Sequence, residues 1–64
     1  MDFAPFVCKV TAETKLRGLK YIDLAKMTGY KLGTIKTFMA LGIKSRPRSA
    51  RVAEALSKAL NIEL

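Results

Sequence analysis

Tyr21-Ile22-Asp23-Leu24-Ala25-Lys26-Met27-Thr28-Gly29-Tyr30-Lys31-Leu32-Gly33-Thr34-Ile35-Lys36-Thr37-Phe38-Met39-Ala40-Leu41 sets a small Ala25 four residues before Gly29, with Ile35 six residues beyond that glycine and Phe38 closing the series. Two helices that cross steeply leave room for only a small side chain where they touch. The tight turn between them favours a residue that tolerates a left-handed backbone. Ala25 meets the first demand and Gly29 the second. Helical spacing then turns Leu24, Ile35 and Phe38 inward and sets Lys31, Leu32, Gly33, Lys36 and Thr37 on the outward side of the second helix. The stretch therefore predicts a helix-turn-helix, with helices over about Tyr21–Thr28 and Leu32–Ala40.

On the N-terminal side, Phe3, Phe6, Val7, Val10 and Thr14 recur at steps of three and four, predicting a helix from about Phe3 to Arg17. Asp2 is the candidate cap, and Pro5 is tolerated because it falls in the first turn. The β-branched content leaves a short extended start as the alternative. Gly18 is the expected left-handed terminator, with Lys15 and Arg17 complementing the negative end of the helix. On the C-terminal side, Gly42 is expected to close the third helix. The stretch 42–49 has the turn formers and proline of a loop. A fourth helix is expected from Ser49, as cap, to about Leu60, its apolar stripe made by Val52, Ala53, Leu56, Ala59 and Leu60. The expectation is a compact all-α domain of four helices spanning 1–64, with a short C-terminal extension.

The 64 residues carry a net charge of +7, and ten of the twelve basic residues lie between Lys15 and Arg51, where Asp23 is the only acid. Cations concentrated in this way suit a polyanion, because each neutralised phosphate releases condensed counterions. The basic residues alternate with core positions over several short helices, which favours nucleic acid over a lipid surface. A chain with no histidine and a single cysteine has no disulfide, no zinc site and no His-dependent catalytic centre. Asp23 and Glu54 lie far apart on separate helices, so no carboxylate pair can hold magnesium and no catalytic residue is expected. Cys8 is expected to be a small packing residue of the first helix. The start lacks the basic and continuous apolar segments of a secretory signal, and no apolar run approaches the roughly 18 residues of a membrane span. A cytoplasmic protein without cofactor or metal is the expectation.

The segment Gly18-Leu19-Lys20-Tyr21-Ile22-Asp23-Leu24-Ala25, with Gly29, Thr34-Ile35 and Phe38, resembles the lambda-repressor-like (Cro and XRE) DNA-binding family. Ala55-Leu56-Ser57-Lys58-Ala59-Leu60-Asn61-Ile62 is similar to that family's characteristic ending. The resemblance covers roughly 18–62. It implies that the third helix enters the major groove of duplex DNA while the second lies across the backbone. Base contacts are then implied for Lys31, Leu32, Gly33, Lys36 and Thr37. Phosphate contacts are implied for Tyr21, which replaces a frequent glutamine, and for Lys44, Arg46 and Arg48 in the following loop. Where the family often has Ser or Thr followed by Gln, this chain has Lys31, able to bond guanine or a phosphate, and Leu32, suited to a thymine methyl.

The function expected is that of a small sequence-specific DNA-binding regulator, such as a phage or mobile-element repressor, acting as a homodimer on paired half-sites. The competing reading is a protein-interaction module on the same scaffold, for instance an anti-defence inhibitor or anti-repressor. It needs an apolar anchor patch on the outward face, for which Leu32 and Met39 are the candidates. The tail Asn61-Ile62-Glu63-Leu64 admits two roles: a two-fold contact, or closure of the core by Ile62 alone.

Overall fold

Phe6, Val10 and Thr14 are buried along one side of the first helix, and Phe3 and Val7 pack beside them, which settles the N-terminal segment as helical rather than extended. The computed structural model describes residues 3–64. Helix α1 spans Ala4–Arg17, α2 Tyr21–Thr28, α3 Leu32–Met39 and α4 Arg46–Leu60, and no strand occurs among the described residues. Asp2, the expected cap of α1, lies outside the described residues; Phe3 occupies the capping position and Pro5 sits in the first turn. No helix among them is long and apolar enough to cross a membrane.

The core is where α2, α3 and α4 meet beneath α1. Leu24, Ile35, Val52, Ala53 and Leu56 are fully buried there, and Phe38 receives the rings of Phe3 and Phe6 edge-on at centroid distances of 6.1 and 6.3 Å. Ala25 is buried and Gly29 ends α2 with φ of 79°, a left-handed backbone that glycine adopts without steric cost. The Asp23 carboxylate accepts the Lys20 backbone N–H at 2.8 Å, satisfying a donor at the start of α2 and setting negative charge at the helix's positive end. Ile62 packs against the core and Leu64 is exposed, so the tail closes the core through Ile62. Cys8 is exposed and is not a packing residue: it lies on the side of α1 opposite the buried Phe6 and Val10.

The end of α3 differs from expectation. Leu41, not Gly42, takes the left-handed conformation, with φ of 58°. The Leu41 N–H donates to the Phe38 carbonyl at 2.9 Å and the Gly42 N–H to the Thr37 carbonyl at 2.8 Å, a Schellman arrangement with a leucine where glycine is usual. A Cβ in this conformation crowds the following carbonyl. Leu41→Gly is therefore expected to be more stable than Leu41→Ala by about 1 kcal/mol, the reverse of their order inside a helix. Urea denaturation of the two variants measures the difference; an alanine variant equal to or above the glycine one contradicts this geometry.

Candidate nucleic-acid interface

The first turn of α3 and the segment entering α4 face each other across an open groove of about 570 Å³. Lys31, Gly33, Thr34 and Thr37 form the α3 wall, and Lys44, Ser45 and Arg48 the other, with Gly42 and Ile43 at its base. Lys36 is exposed on α3 and is not part of the groove lining. The Thr37 hydroxyl donates to the Gly33 carbonyl at 2.8 Å, and an added Cβ at Gly42 would lie 3.2 Å from the Thr37 methyl. The rotamer of Thr37 is thus held from both ends.

Arg46 and Arg48 do not lie in a loop. Helix α4 begins at Arg46 with Ser45 as its capping residue, and Pro47 stands in the first turn, where its missing N–H is no loss and its fixed φ suits a helix. The proline read as a loop former is thus a helix starter. Ser49, expected to cap the helix, is buried within it, its hydroxyl directed at the Ile43 carbonyl at 3.5 Å. Arg46 and Arg48 remain exposed but ride on a rigid helical turn.

Leu32 is withdrawn from the outward face. As the first residue of α3 it leans back onto the core and is partly buried. Met39 is buried as well, at 7% exposure, so neither apolar candidate for a protein-binding patch is available on that face. Tyr21, at the first position of α2, is 39% exposed. Gly33 is exposed, its φ is ordinary, and an added Cβ would meet nothing within 4 Å; no contact among the described residues demands a glycine there.

The electrostatics are one-sided. Glu13 pairs with Arg17 at 2.7 Å, Glu54 pairs with Lys58 at 3.3 Å, and Asp23 is engaged by the Lys20 backbone. Among the described residues no carboxylate pairs with Lys31, Lys36, Lys44, Arg46 or Arg48. Neither α3 nor α4 has an acidic residue in its first turn, and neither Lys31 nor Ser45 makes a side-chain cap bond. Arg46 and Arg48 lie against the positive end of α4, a position that costs a cation about 0.3–1 kcal/mol. Such an arrangement is relieved by an anion, which both cations and helix N–H groups can receive.

Comparison of the chain with family models finds no match, and comparisons with curated proteins and with solved structures likewise find none.

Proposed function

We propose that this chain is a sequence-specific DNA-binding regulator of the helix-turn-helix, lambda-repressor-like kind, acting in the cytoplasm as a homodimer on paired half-sites. The observation that carries this reading is the groove between α3 and the start of α4, whose cations lack carboxylate partners among the described residues and crowd a helix N-terminus. A surface kept basic only for solubility gains nothing from arginines at the positive end of a helix. A phosphate bound there offsets both unfavourable terms.

The division of labour follows from position. Lys44, Arg46 and Arg48 hold phosphates on one strand, and Tyr21, at the start of α2, bonds another through its hydroxyl. Lys31, Gly33, Lys36 and Thr37 face base edges from α3. Gly33 supports this assignment because its lack of a side chain serves no neighbour among the described residues and lets a partner approach the helix backbone closely. Leu32 contributes from the core side, by holding the start of α3 in place.

Selection of bound sites from random duplex DNA tests the proposal. Recovery of a shared, two-fold related sequence is the expected result. A chain that retains no duplex even at low salt is not a DNA-binding protein.

A further inference from the structure

The outward face of α3 has an unusual chemical inventory. Between Tyr30 and Leu41 there is no Asn, Gln, Asp, Glu or Arg. Adenine is ordinarily read by an amide that donates to N7 and accepts from N6 together, and no such side chain exists here. Lys36 and Thr37 are adjacent and both exposed. Lys36 supplies only donors. The single proton of the Thr37 hydroxyl is spent on the Gly33 carbonyl, so that hydroxyl meets a partner only as an acceptor.

Consecutive helix positions diverge by about 100°, but the long flexible stem of Lys36 lets its ammonium reach toward the side of the short Thr37 hydroxyl. A donor and an acceptor presented together match one base pair best. Guanine presents N7 and O6 side by side, two acceptors that a single ammonium can bridge, and its cytosine presents the N4 amino donor next to them. An A·T pair breaks the acceptor run with the N6 amino group. It also sets a thymine methyl beyond, while the Thr37 methyl is turned toward Gly42.

Resting on the DNA reading above, we infer that Lys36 and Thr37 together specify a G·C pair, Lys36 donating to guanine N7 and O6 and Thr37 accepting from cytosine N4. The pairing makes these two residues specificity determinants on the α3 face.

The test uses the wild-type chain and the duplex recovered by selection, with base analogues at its shared guanines. Replacing guanine by 7-deazaguanine removes N7 alone and is expected to weaken binding roughly fivefold to tenfold. Inosine keeps N7 and O6 but lacks the minor-groove amino group, and is expected to leave affinity unchanged. In Lys36→Ala the penalty for 7-deazaguanine should vanish, and in Thr37→Val the preference for G·C over A·T should shrink. Selected sites without a shared guanine, or a duplex indifferent to 7-deazaguanine, overturn this inference while leaving DNA binding intact. Failure to select any duplex overturns the DNA reading, and the G·C assignment with it.

Discussion

Phe38→Ala is expected to leave the chain largely unfolded at room temperature. Phe38 is 2% exposed and is the ring on which Phe3 and Phe6 converge, so its removal takes away its own burial and the partner of both edge-on contacts. Truncation of a buried phenylalanine costs about 3–5 kcal/mol, the transfer term and the cavity acting together. A domain of this length is stabilised by only about 3–10 kcal/mol in total, so the loss takes a large part or all of it. Circular dichroism at 222 nm through a thermal scan reads the outcome directly. A cooperative transition within a few degrees of the wild type would mean that Phe38 is not the centre of this core.

The second large effect concerns salt. Five exposed cations, Lys31, Lys36, Lys44, Arg46 and Arg48, lie on α3 and around the start of α4, and none of them pairs with a carboxylate among the described residues. If about five phosphates are neutralised per domain, log affinity for duplex DNA should fall with log salt at a slope of about −4 to −5. Between 50 and 200 mM salt that slope amounts to a loss of roughly 500-fold. A fluorescence-anisotropy titration at four salt concentrations measures it. An affinity nearly constant across that range would show that the groove does not bind a phosphate backbone.

The centre of the fold was legible because its signals are local and steric. Ala25 is buried, Gly29 takes a left-handed backbone at the end of α2, and Leu24, Ile35 and Phe38 are buried as their spacing demands. The start of α4 was misread because proline has two meanings, loop former and first-turn residue. What decides between them is the burial of Ser49, a tertiary fact. Leu32 shows the limit of helical projection. A residue at the first position of a helix is oriented by the preceding chain as much as by the helical repeat, so it settles on the core. Leu41 gave no warning, since the neighbouring Gly42 absorbed the expectation of a left-handed residue. The basic character of the interface was visible in the charge distribution. That its arginines stand on a helical turn, with Arg48 facing α3 across the groove, was not, because the groove exists only once α3 and α4 are packed.

The orientation of α3 toward DNA is tested most directly by one ratio: affinity for the selected duplex over affinity for random duplex, in wild type, Arg48→Ala and Lys36→Ala at a single salt concentration. Arg48→Ala should weaken both duplexes about equally and leave the ratio near its wild-type value, because a phosphate contact carries no sequence information. Lys36→Ala should lower the ratio by about 1–3 kcal/mol, the discrimination of one good base contact. An arginine variant that erases discrimination beside a Lys36 variant that preserves it would contradict the proposed docking of α3 in the major groove.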